Sequence, residues 1–284
     1  MPSAQEIVQS FEELRTIPHI ALRVCQLISH EETTIRQIEE TIQLDPVLVS
    51  RILRMVNSAY YGLRKPIASL PKAIIFLGLK NLRNLVVIDA LRGVFLREQS
   101  NGTFSRKQLW IHCTAVGVCA RMIARRLLGR TGEDTFLAGI LHDIGLIVED
   151  QTHEALFREV IERYRAGTGL LIEYEQELLG TDHCAVGEAL AARWGFPEAV
   201  QQAILHHHTA IEHEAELQQM PAVLQIAHHI ANTAGYQAFS EKTDPPLGII
   251  VDHIQQQAVE YQALTEAFCK EMEKAARLYE DEGI

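Results

Sequence analysis

The chain has 284 residues, of which 47% are hydrophobic and 22% charged, a composition ordinary for a soluble globular protein with a proper core. Its formal net charge is −11 and its five cysteines show no CxxC spacing, which argues against a disulfide framework and for reduced, buried thiols. The first residues carry no basic and apolar leader pattern, and no apolar run approaches the roughly 18 residues of a transmembrane candidate. A cytoplasmic protein without a membrane association is expected.

In chain order, apolar residues recur at three- and four-residue spacing with little strand-like alternation, which predicts an all-α fold. Two short helices over 4–29 are expected to break at Pro18, and Thr33 or Thr34 can cap a helix over 35–43. Asp45-Pro46 marks the next start, with Leu48, Ile52, Met55, Val56 and Ala59 on the buried face and Gly62 as a stop. A helix over 72–77 is capped by Ser69-Leu70-Pro71, and Gly78 separates it from an apolar helix over 80–97. Between Asp45 and Arg97 there are nine Lys or Arg against two acids, a local +7 that leaves −18 for the remainder. These cations either attract phosphate or an acidic partner, or lie on solvent faces paired with acids elsewhere. No nucleic-acid motif accompanies them, and nucleic-acid binding is not expected.

The polar, turn-forming 98–103 is the best boundary in the chain. Helices are then predicted at 105–128, 133–148, 153–166, 170–178, 185–194, 197–207 and 218–234, with a loop over 240–248. The final helix is predicted as one seam, Val251, Ile254, Ala258, Tyr261, Thr265, Phe268, Met272, Ala275 and Tyr279. Its expected use is packing on the chain's own N-terminal layer, with a homodimer seam as the alternative. The division is thus 1–100, an N-terminal helical layer; 101–238, a helical unit with the chemistry; and 239–284, loop and C-terminal helix. All three are read as one module.

The chemistry lies in the histidines. His112, His142-Asp143, His183, His206-His207-His208 and His228-His229 each fall in or beside a predicted helix, and imidazole and carboxylate are the usual ligands of first-row transition metals. Adjacent residues on a helix point about 100° apart, so His142 and Asp143 can serve two neighbouring sites, with the carboxylate as a bridge. The plainer alternative is a hydrogen-bonded polar cluster without metal. His208 and His229, each beside a better-placed candidate, are expected behind the ligands or in solvent. Arg51, Arg54, Asn57 and Tyr60 form either a partner or ligand surface or structural caps.

Leu141-His142-Asp143-Ile144-Gly145, with His112 upstream and His183 and His206-His207 downstream, resembles the HD superfamily of metal-dependent phosphohydrolases and, among its catalytic branches, the HD-GYP phosphodiesterases. Leu44-Asp45-Pro46-Val47-Leu48, the run from Arg51 to Gly62, Ile67-Ala68-Ser69-Leu70, Leu109-Trp110-Ile111-His112 and Arg193-Trp194-Gly195-Phe196-Pro197 are similar to the HDOD domain. The resemblance covers roughly 11–235. It implies an HD-like all-α fold, a bacterial signal-transduction role through a protein or small ligand, and a ligand set of His112, His142, Asp143, His183, His206, His207 and His228. His228 stands where an aspartate is usual, which exchanges a hard anionic oxygen for a neutral nitrogen and disfavours Mg²⁺. Leu146 replaces the lysine that grips phosphate in catalytic relatives, and His208-Thr209-Ala210-Ile211-Glu212 replaces their Gly-Tyr-Pro loop.

Three functions follow as expectations. The first is a regulatory module with a structural or sensory mono- or dinuclear site for Fe, Mn, Ni or Zn. The second is a nucleotide phosphohydrolase using Asp143, and the third is a di-iron redox or oxygen sensor.

Overall fold

The computed structural model describes residues 3–11, 19–30, 32–58, 63–95, 105–239 and 242–280. Helix α1 (Ala4–Ser10) is held at its start by a reciprocal Ser3–Glu6 capping box. Then come α2 (His19–Ser29), α3 (Ile35–Gln43), α4 (Pro46–Val56), α5 (Leu70–Leu77) and α6 (Leu79–Phe95). Thr34, not Thr33, caps α3 in a box with Gln37. Asp45 Oδ1 accepts from the Val47 and Leu48 amides at 3.0 and 3.1 Å and starts α4. Gly78 turns the chain between α5 and α6 with φ 72°, which favours glycine.

Leu48, Ile52 and Val56 are buried as expected, whereas Met55 is half-buried. Helix α4 stops at Val56 because the Asn57 side chain takes over the bonding: it donates to Leu53 O and Ile67 O and accepts from the Ile67 amide at 2.7 Å. Ala59, Tyr60 and Gly62, and the boundary at 98–103, lie outside the described residues. The basic segment is partly neutralised from within. Arg51 chelates both Asp89 oxygens at 2.9 Å, and Lys80 and Arg83 meet Asp134 at 2.6 and 2.5 Å.

The second part is built on α7 (Arg106–Arg126), with α8 (Glu133–Leu141), α9 (Ile144–Thr152), α10 (Glu154–Ala166), α11 (Leu171–Leu179), α12 (His183–Arg193), α13 (Glu198–Leu205) and α14 (Met220–Thr233). Glycines let the central helices approach: a Cβ on Gly139 would lie 2.6 Å from Gly117 Cα, so α7 and α8 cross backbone to backbone. A Cβ on Gly145 would overlap the His183 carbonyl, which places α9 directly against the start of α12. Helix α1 packs across onto α9 and α12, and α6 onto α7 and α8.

Two expectations are corrected. The single helix expected over 133–148 is two, broken at Asp143, whose φ −102° and ψ 14° leave the helical region. The C-terminal seam is also two helices, α15 (Gly248–Gln256) and α16 (Ala258–Glu280), broken at Gln257. Tyr261, Leu264, Phe268 and Met272 are buried while Ala258 is exposed, and α16 packs mainly on α7 rather than on the N-terminal layer. Nothing is described of the Ala275 and Tyr279 side chains. The described residues form helices and no strands, and none of these helices is long and apolar enough to cross a membrane. Cys25, Cys113, Cys119 and Cys184 are buried and Cys269 is half-buried, none of them in a disulfide.

Candidate metal centre

Three helices and two junctions converge on Asp143. His112 comes from the middle of α7, His142-Asp143 from the α8–α9 break, His183 from the first position of α12, His207-His208 from the chain leaving α13, and His228 from α14. The break at Asp143 lets its two carboxylate oxygens face opposite groups. Oδ2 lies 3.1 Å from His142 Nε2 and 3.6 Å from His112 Nε2. Oδ1 lies 3.5 Å from His207 Nε2 and 3.6 Å from His183 Nε2. The His228 ring stands 4.8 Å from that of His112 and 5.8 Å from that of His142. Two groups built on imidazoles, with ligand atoms within 4.8 Å of one another, result: His112, His142 and His228, and His183, Cys184, His207 and His208; a third set, Cys113, His142 and Asp143, overlaps the first.

The outer ring nitrogens are already engaged. Nδ1 of His112 donates to Tyr236 O at 2.7 Å, that of His142 to Gly139 O at 2.8 Å, and that of His207 to Ile204 O at 2.6 Å. His183 Nδ1 donates to Glu175 Oε2 at 2.7 Å, and the same oxygen accepts the His183 amide at 3.2 Å. His228 departs from the pattern: Asn232 Nδ2 donates to its Nδ1 at 3.2 Å, so in the neutral ring the other nitrogen carries the hydrogen. In a neutral imidazole a donating Nδ1 leaves Nε2 as the lone pair, here aimed inward. Nε2 of both His112 and His142 is buried without a hydrogen bond, the approach of His142 to Asp143 failing on direction. Ligating histidines are held this way in metal sites, so the residues present fit a bound transition metal.

Charge is balanced inside the cluster. Burial would raise the Asp143 carboxyl, but the rings of His142, His207 and His183 outweigh it and hold it well below the usual range. Burial drives His112 down to about 4 against the pull of Asp143. Burial also lowers His208 and His228, reinforced by neighbouring imidazoles. In His207 burial is overcome by Cys184 and Asp143, and its pKa rises to about 10. Behind His183, Glu149 and Glu175 are both fully buried. Burial and the Glu175 charge push Glu149 well above the carboxylate range, which makes it the neutral partner.

The ligand set expected from sequence changes at one position. His206 is exposed, with Nδ1 3.1 Å from Thr209 Oγ1, and takes no part. Because α13 ends at Leu205 rather than at 207, the inward-facing neighbours are His207 and His208. The His208 ring stands 4.3 Å from that of His207 and 5.2 Å from that of His183, so its expected place behind the ligands or in solvent is also corrected. His229 is half-buried and belongs to neither group. Glu149, Glu175 and Cys184 went unread in the sequence. Leu171, Glu175 and Leu179, all buried at four-residue spacing, put a glutamate in the middle of an apolar stripe, which is the signal for a partnered buried acid. Of the four residues considered as a surface, Arg51 and Asn57 are engaged within the protein, Arg54 is exposed, and Tyr60 lies outside the described residues.

A cavity of about 30 Å³ opens over Asp143, His183, His208 and His228. Leu146, Tyr164 and Phe239 wall it, and Lys242 and Asp244 stand at its edge. The Lys242 ammonium donates to the carbonyls of Tyr164, Gly167 and Gly169 at 2.9, 3.1 and 2.8 Å and lies 4.1 Å over the Tyr164 ring. All three of its donors are spent on backbone.

Against known proteins, the model of the HDOD domain matches residues 14–210. A curated protein of Treponema pallidum (strain Nichols), without an assigned function, is 26% identical over 210 residues, covering 72% of this chain and 39% of the relative. This chain therefore spans well under half of that protein's length. A candidate phosphohydrolase from Shewanella amazonensis SB2B superposes with a TM-score of 0.70 at 25% identity, covering 94% of each chain. An HDOD domain protein of unknown function from Geobacter sulfurreducens gives 0.67 at 25% identity, covering 93% of this chain and 97% of that one. With its helical order, its ring of histidines about Asp143 and a family match over most of its length, the chain belongs to the HDOD domain family.

Proposed function

We propose that this protein is a regulatory HDOD module of bacterial signal transduction, acting through a protein or small ligand, with a buried transition-metal site as its structural or sensory core. The observation that carries this reading is the mismatch between ligands and substrate space. Oriented imidazoles and a two-faced carboxylate support metal binding, but the space directly over them, about 30 Å³, is that of one or two waters or a diatomic, and among the described residues its lining offers no free cation to hold a phosphate. Leu146 fills the wall where a cation would be useful, and Lys242 is saturated by carbonyls. When bound, the metal would supply Lewis acidity and positive charge. The chain's own part is to fix the rings through their Nδ1 bonds and to keep bulk water out. A di-iron redox or oxygen sensor is a special case of the same reading, since the cavity is the size of its signal.

The second reading, a metal-dependent phosphohydrolase, is favoured by one observation, the division of Asp143 Oδ1 and Oδ2 between two histidine groups. It also accords with the description of the Shewanella relative. Elemental analysis of protein purified without chelator, followed by assay against cyclic and linear nucleotides, separates the two. The regulatory reading expects near-stoichiometric metal and equal background hydrolysis in wild type and Asp143→Ala. Turnover that disappears with Asp143→Ala would establish the hydrolase instead.

A further inference from the structure

We infer that Cys184 is a metal ligand, so that one half of the centre is a nitrogen–sulfur site selective for thiophilic ions such as Zn²⁺ or Fe²⁺ over Mn²⁺ and Mg²⁺. The inference rests on the metal reading above and deepens it by naming the donor set. Cys184 Sγ lies 3.7 Å from His183 Nε2, and His183 Nε2 lies 3.3 Å from His207 Nε2. Four ligands around one tetrahedral zinc, with their usual bond lengths, are separated by about 3.3–3.4 Å for two nitrogens and about 3.6 Å for nitrogen and sulfur. The observed edges match both values. Asp143 Oδ1, 3.5 and 3.6 Å from the same two nitrogens, stands at a further corner of that polyhedron, and His208 closes the group from the cavity side.

The position of the thiol follows from the fold. His183 and Cys184 are the first two residues of α12, whose cap is the Asp182 side chain accepting from the Ala185 amide at 2.9 Å. That bond fixes the opening turn and with it both side chains, while Gly145 admits α9 close enough to bring Asp143 to them. Cys184 is 4% exposed, so the sulfur is shielded from bulk solvent. Cys113 follows His112 as Cys184 follows His183, but its thiol is turned to the Asp143 backbone and it groups with His142 and Asp143 rather than with a ring of imidazoles. A soft thiolate beside imidazoles favours Zn²⁺ and Fe²⁺, whereas in the other half, His112, His142 and His228 with Asp143 Oδ2, the neighbouring Cys113 groups with His142 and Asp143 but not with His112 and His228. The two halves therefore differ in chemistry, although one carboxylate joins them.

The test is X-ray absorption at the zinc edge on the full chain loaded with Zn²⁺, beside a metal-to-protein ratio. The expected wild-type spectrum contains a sulfur shell at about 2.3 Å, lost in Cys184→Ala with the nitrogen shell retained. Zinc affinity should fall at least about tenfold in Cys184→Ala and stay unchanged in His206→Ala. Bound zinc with a nitrogen and oxygen shell alone overturns the inference and leaves the metal reading standing. A sulfur shell that survives Cys184→Ala also overturns it, and points to Cys113. Failure to bind zinc at all overturns both. If Cys184→Ala does not fold, the wild-type spectrum decides.

Discussion

Glu149 and Glu175 share a fully buried space with His183, which opposes ionisation of Glu149. Glu175 Oε2 accepts from His183 Nδ1; the Glu149 carboxyl is pushed well above its ordinary range because burial and the neighbouring Glu175 carboxylate both oppose its ionisation. The pair therefore ties stability to pH in a defined direction. With a folded pKa well above 4.5, the folded protein holds a proton that the unfolded chain gives up, so stability falls as pH rises above that value. Glu149→Gln mimics the neutral acid in size and hydrogen bonding. It should flatten the decline and leave the protein at least as stable at pH 7, as read by urea unfolding between pH 4.5 and 8; an unchanged slope would show that Glu149 is ionised. Removing the charge on Glu175 has another effect. Glu175→Gln should weaken metal binding roughly tenfold or more, because the carboxylate that makes His183 a better donor is gone. A competition titration with a chromophoric zinc chelator measures it.

At the scale of elements, the site depends on where helices stop. Gly145 permits α9 to touch the start of α12, and a Cβ there would overlap the His183 carbonyl. Gly145→Ala should cost at least about 2–3 kcal/mol in thermal unfolding through forced separation of the two helices, and should lower metal stoichiometry because Asp143 and His183 part. An alanine variant with wild-type stability would mean that α9 can shift freely. The same dependence explains what could be read beforehand. Caps at Thr34 and Asp45 are local chemistry, written in a few adjacent residues, and the starts of α3 and α4 follow from them. The break at Asp143 is not local: Leu141, Ile144 and Ile147 continue a helical pattern, and only the need to aim a carboxylate at two groups takes Asp143 out of it. Likewise, whether His206-His207 or His207-His208 face inward is set by a helix end two residues earlier than periodicity suggests. Six of the seven residues that the family resemblance implied as ligands therefore gather at the centre, while the choice between His206 and His208 needed the helix phase.

Over the whole molecule, the centre is where the long α7, the α8–α9 junction, α12, the end of α13 and α14 meet, so it ties together segments as distant in sequence as His112 and His228. The N-terminal helices reach it only through neighbours: α1 through α9 and α12, and α6 through α7 and α8. In the proposed regulatory role, a change at the centre would travel to the N-terminal surface along those packed contacts. The cavity edge adds a different property, one of time rather than affinity. Lys242 fastens its segment to the end of α10 and its following turn by three carbonyls. An ion that left past this segment would need that fastening to open first. Lys242→Ala should speed extraction of bound metal by EDTA severalfold, followed by stopped-flow or a colorimetric chelator, while leaving the equilibrium stoichiometry intact. Equal extraction rates would place the exit elsewhere. A lysine that contributes nothing to coordination would thus set how long the protein remembers the metal it has bound.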